Sequence, residues 1–166
     1  MPNETNESTA PTIDVQVGEA LKTWLASRLP GFTVVRQYED VREFLNESEL
    51  ASPKAVLVLE GMEEIPEYDR TARMDFRFVL GLYKPLAGSS EEQLTASMDE
   101  AMAINYTLAD AFYQKFILHE TLGRIVLLEA TRTGGQIYDE ELFRLYRIFG
   151  NEYSLTVQTF REIPIT

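Results

Sequence analysis

From Asp14 onward, apolar residues recur at three- and four-residue steps: Val17, Ala20, Leu21, Trp24, Leu25 and Leu29. That spacing lines one face of a 3.6-residue repeat and predicts an amphipathic helix, stopped by Pro30-Gly31. The β-branched and aromatic run Phe32 to Tyr38 predicts a short strand, and Glu39 to Glu47 a helical turn with Val41, Phe44 and Leu45 inward. Ala55 to Leu59 is continuously apolar, the pattern of a strand covered on both faces. The acidic stretch Glu60 to Asp69, with Gly61 and Pro66, reads as a loop. Arg70 to Tyr83 then alternates. Met74, Phe76, Phe78, Leu80 and Leu82 fall on one face, and Arg73, Asp75, Arg77, Val79 and Tyr83 on the other.

Ser90-Glu91-Glu92-Gln93 is a capping box, in which a serine side chain and a glutamine three residues later satisfy each other's free N–H groups. A long helix follows, to about Leu118, with Leu94, Met98, Ala101, Leu108, Phe112 and Phe116 on its buried stripe. Asn105 interrupts that stripe and marks a place for a kink. Arg124 to Thr131 predicts a strand and Thr133-Gly134-Gly135 a turn. Leu142 to Phe149 alternates, Gly150-Asn151 suggests a tight reversal, and Ser154 to Arg161 a returning strand. Residues 1–12 are polar, aperiodic and read as a disordered tail, leaving 13–166 as a single domain. The expected fold class is α+β: a mainly antiparallel or mixed sheet, packed by an N-terminal helix and one long central helix.

Composition changes that picture only by exclusion. With 166 residues, 45% of them hydrophobic, the chain can bury a real core. It has no cysteine, hence no disulfide, thiolate metal site or cysteine nucleophile. The N-terminus shows no basic-then-apolar leader, and nowhere do eighteen apolar residues run together, which points to a cytoplasmic protein without a membrane span. The net charge of −12 repels phosphate, so specific nucleic-acid binding is not expected. The charge is uneven: residues 1–69 carry −9 and residues 70–166 carry −3.

Chemistry is sparse. The one histidine, His119, falls at the expected end of the long helix, where it suits the helix dipole. There is no nucleophile elbow, phosphate loop or dinucleotide fingerprint. Catalytic, metal and cofactor residues are therefore expected to be none. Glu60, Glu63, Glu64, Glu67 and Asp69 form the densest carboxylate group, which reads as a solvated acidic surface.

The order of these elements resembles the tail-terminator (minor tail, neck-associated) proteins of long-tailed bacteriophages. The resemblance rests on the helix with Trp24, the Phe32–Tyr38 strand, the apolar run ending in Glu60-Gly61, the acidic stretch, the long alternating strand, the long helix and the terminal strands, over about residues 14–162. It implies a non-catalytic virion subunit in a homo-oligomeric, hexameric ring that caps the tail tube and meets the head connector, with DNA passing through the lumen. Arg73, Arg77, Tyr83, Arg144 and Arg147 are then expected to meet Glu63, Glu64, Glu67 and Asp69 of a neighbouring subunit. Two other readings compete: a small α+β binding or regulatory module acting as monomer or dimer, and an enzyme using dispersed carboxylates.

Overall fold

A computed structural model describes residues 10–38, 51–67, 70–113, 117–119, 125–132 and 138–162. The fold is α+β. Helix α1 (Ile13–Arg28) leads into β1 (Thr33–Gln37), β2 (Lys54–Pro66) and β3 (Thr71–Pro85). Helix α2 (Glu91–Phe112), β4 (Ile117–His119), β5 (Ile125–Arg132), α3 (Glu140–Tyr146) and β6 (Ile148–Glu162) follow. The strands form one six-stranded sheet in the order β1-β2-β3-β6-β5-β4. Only β1–β2 is parallel; the other four pairs are antiparallel, so the sheet is mixed.

The alternation read along β3 is the backbone of the core. Phe76, Phe78, Leu80 and Leu82 are buried on one face, across from Val157, Leu155, Tyr153 and Asn151 of β6. Both long helices cover this face. From α1 come Val17, Leu21, Trp24 and Leu25; α2 contributes Leu108. Trp24 meets Phe112 of α2 at 5.8 Å between ring centroids, and Phe112 meets Tyr153 at 5.2 Å, edge-on. Burial of such side chains at roughly 1.5–3 kcal/mol each is what holds the layers together. The apolar run of β2 is buried on both faces as its pattern predicts: Ala55 and Leu57 face the helices, while Val56 and Val58 join Tyr83 and Ile148 in a small cluster on the other side.

Several expectations are corrected. The acidic stretch is not a loop through Asp69: β2 continues to Pro66, paired with β3 from Gly61↔Arg77 to Pro66↔Ala72. Pairing to the long strand overrides the poor strand propensity of glutamate, and a bulge between Leu59 and Gly61 absorbs the change of pattern. The long helix stops at Phe112, not Leu118, and runs unbroken through Asn105. His119 therefore lies on β4, not at a helix end. Of the strand expected over 142–149, only Ile148 and Phe149 are strand, as the start of β6; 142–146 belong to α3. Asp139 caps α3 by accepting from the N–H groups of Glu141 and Leu142, each at 3.0 Å, and Arg147 ends it in the left-handed conformation at φ 54°.

Gly150-Asn151 is no reversal either. β6 runs straight through it. Gly150 is small because Leu142 of α3 occupies the space where a Cβ would stand, 2.6 Å from that position. Asn151 is turned toward α2. Residues 1–9 of the expected 1–12 tail, the helical turn at 39–47 and the glycine turn at 133–135 lie outside the described residues, while the Pro11 and Thr12 carbonyls accept from Gln16 of α1.

Candidate functional site

Two regions gather polar groups: a buried node under α2 and the distal arm of the sheet. In the node, Asn105 sits fully buried on the α2 stripe. Its Oδ1 accepts from the Tyr153 hydroxyl at 2.6 Å and from Asn151 Nδ2 at 3.1 Å. The Glu152 backbone N–H donates to Asn151 Oδ1 at 2.8 Å, which fixes the orientation of that amide and so of the whole chain of bonds. Asn105 Nδ2 has no hydrogen-bond partner among the described residues. Arg132, at the end of β5, lies 5.9 Å from the ring centroids of both Tyr106 and Tyr153. Burial pushes the Tyr153 phenol above its ordinary pKa; the hydrogen bond and charge of Arg132 oppose this and are outweighed.

The node was only half visible beforehand. Asn105 stood out as a polar break in an apolar stripe, but its partners Asn151 and Tyr153 are 46 and 48 residues away. The pair Gly150-Asn151 suggests a turn instead. Its geometry suits structure more than chemistry: two amides and a phenol joined in one bonded chain, with no carboxylate or nucleophile among them.

The distal arm is built from β2 beyond its bulge, the first half of β3 and the end of β6. On the face away from the helices, register sets Ile65, Arg73 and Phe160 in one row and Glu63, Asp75 and Gln158 in the next. Arg73 lies 3.5 Å from Asp75 and 3.9 Å from Glu67, and Gln158 donates to Asp75 at 3.0 Å. Arg77 is exposed, lies over Gly61 and makes no ion pair among the described residues. On the helix-side face Arg161 Nε donates to Glu64 at 3.1 Å, reaching across β3.

The expected contact residues are thus divided. Arg73 already meets the acidic segment of its own chain, as does Arg161. Tyr83 is buried within the chain at 2% exposure, packed with Val56 and Val58, which removes it from any subunit surface. Arg144 and Arg147 are exposed on α3, Arg147 stacked on Phe143 at 5.4 Å. Asp69 lies outside the described residues.

A third feature is an open cleft of about 560 Å³ between the start of α2 and α3, lined by Ser90, Leu94, Met98, Asp99, Phe143 and Arg147. Among the described residues no three His, Cys, Asp or Glu side chains stand together as metal ligands, and no helix is long and apolar enough to cross a membrane. Compared with known proteins, the chain matches no family model and no curated sequence.

Proposed function

We propose that this protein is a structural subunit of a phage-type tail, one copy of a closed homo-oligomeric ring that ends the tail tube and joins it to the head connector. The role is carried by surfaces, not by a catalytic centre. The observation that carries this reading is the distal arm. β2, β3 and β6 are 13, 15 and 15 residues long, which at about 3.3 Å per residue is about 43–50 Å. The helices do not cover all of it: Met62 shares a face with fully buried Phe76, yet is 49% exposed.

The outer edge of the arm is also unpaired. β1 pairs only with Lys54 to Val58, leaving Glu60 to Pro66 without a strand neighbour on that side among the described residues. That edge carries the devices that deter indiscriminate strand pairing: a bulge, Glu63, Glu64 and Pro66. A long, guarded arm suits contact with a chosen partner. A net charge of −12 suits a ring through which DNA passes without adhering.

Native mass spectrometry across a concentration series tests the proposal. A six-fold species supports it, and a strict monomer at every concentration overturns it. The second reading, a small binding module, has one feature in its favour: the α2–α3 cleft has a volume typical of small-molecule sites. A monomer that binds a small ligand there would support that reading.

A further inference from the structure

We propose that α3 of one copy docks on the unpaired outer edge of the β2 arm of the next, with Arg144 and Arg147 facing Glu60 and Glu63. This rests on the assembly reading above and gives it a direction.

α3 is an unusual element to keep. It spans seven residues and buries none of them fully. Leu145 and Tyr146 are 54% and 56% exposed, side by side at its C-terminal end. The same end is basic. Its acidic residues, Asp139, Glu140 and Glu141, sit at the N-terminus, where they suit the helix dipole, and Arg144 and Arg147 sit at the other end. Neither arginine makes an ion pair among the described residues, although Arg144 shares a shallow depression with Asp139, Glu140 and Glu141. An apolar patch bordered by unpaired cations is a surface without its partner.

The arm offers the complement. Glu60 and Glu63 are exposed on the unpaired edge strand and make no ion pair among the described residues; Glu63 stands on the face away from the helices, beside Asp75. Of the other cations of that region, Arg73 is held by Glu67 and Asp75 and Arg161 by Glu64, while Arg77 lies over Gly61 and makes no ion pair among the described residues.

The two patches cannot meet within one chain. α3 is anchored where Leu142 lies over Gly150 and Tyr83. Glu63 pairs with Asp75, eight residues back along β3 from Tyr83, which is about 26 Å at 3.3 Å per residue. That is far beyond the reach of an arginine side chain. Complementary patches at opposite ends of one molecule join copies head to tail, and such contacts close into rings when the rotation allows. Charge at the rim sets partner and orientation more than affinity.

The test is a charge swap on the full chain. E60R/E63R and R144E/R147E should each remain folded, with an unchanged thermal midpoint. Each should stay monomeric where the unsubstituted protein assembles, with the dissociation constant raised at least tenfold. An equimolar mixture should recover assembly, because every α3 then finds an oppositely charged arm when the two variants alternate. Normal assembly of both variants, or a folded mixture that stays monomeric, overturns the docking. Should a reversal unfold the chain, E60Q/E63Q and R144Q/R147Q replace it, and undiminished assembly of both overturns the docking. If the unsubstituted protein never assembles, the ring reading itself has failed; if it assembles and the variants do too, only this contact is wrong.

Discussion

The Tyr153 hydroxyl donates to the Asn105 side-chain oxygen at 2.6 Å, tying the middle of α2 to the middle of β6 inside the core. The same oxygen accepts from Asn151, so two donor side chains share one acceptor, and all three residues are buried. Such a node contributes little net energy when complete and costs much when broken, because each orphaned group keeps its desolvation penalty. Asn105→Ala removes the side-chain oxygen that accepts from both the Tyr153 hydroxyl and the Asn151 amide. It should cost about 1–3 kcal/mol. Tyr153→Phe removes one donor and leaves the other bond in place, so it should cost only about 1 kcal/mol. Urea denaturation of both variants checks this, and the double variant should show coupling of at least ~0.5 kcal/mol. Equal costs for the two single changes would mean that the shared acceptor is not the organising group.

Alkaline stability should report on the same hydroxyl. Burial holds the Tyr153 pKa above the ordinary phenol value. Folding then favours the protonated form, so the folded chain binds more protons than the unfolded chain once pH passes about 10. The contribution is complete below that pH and is lost as pH rises through the folded-state value, at up to about 1.4 kcal/mol per pH unit. Denaturation curves of the parent and Tyr153→Phe, compared between pH 8 and 11, should converge as pH rises. Parallel pH profiles would contradict the assignment.

α3 should be the least stable described helix. Its seven residues bury nothing fully, and its start depends on Asp139. Removing an N-cap of this kind costs about 0.5–2 kcal/mol. Asp139→Ala should therefore speed hydrogen exchange across residues 140–147 while the global unfolding midpoint barely moves. A large loss of global stability would mean that α3 is part of the cooperative core.

Gly150 fixes where α3 rests. A side chain there meets Leu142 Cδ1 at 2.6 Å and the Tyr83 ring at 3.4 Å. Gly150→Val should cost about 1–3 kcal/mol by overpacking. Leu142→Ala should relieve part of that cost, so the pair should be less than additive in a double-mutant cycle. Strict additivity would place Leu142 elsewhere.

The exposed ion pair of the arm should matter little. Arg161 and Glu64 are partly open to solvent, and Arg161→Gln should change stability by no more than about 1 kcal/mol, less at high salt. A larger loss in thermal melts would point to packing of the arginine stem over the sheet.

Periodic elements were legible in the residues alone. The alternation of Met74 to Leu82 set the core face of β3, and the Val17–Leu29 stripe and the Ser90–Gln93 box set the buried side of α1 and the start of α2. Those signals are local: each is a repeat of side chains along one element, or a bond between residues three apart. The absence of cysteine and the charge of −12 are likewise properties of the sequence itself.

Tertiary structure decided whatever depended on partners distant in sequence. Glu60 to Pro66 became a strand because β3 lay beside it, although its own residues favour a loop. Gly150 and Asn151 look like a turn by composition, but one makes room for Leu142 and the other reaches Asn105 across 46 residues. Of the arginines, Arg73 is taken up by its own chain, while Arg144 and Arg147 are carried to the far end of the sheet. Charge can be counted from sequence, but whether a charge is satisfied depends on which groups the fold brings within a few ångströms of it.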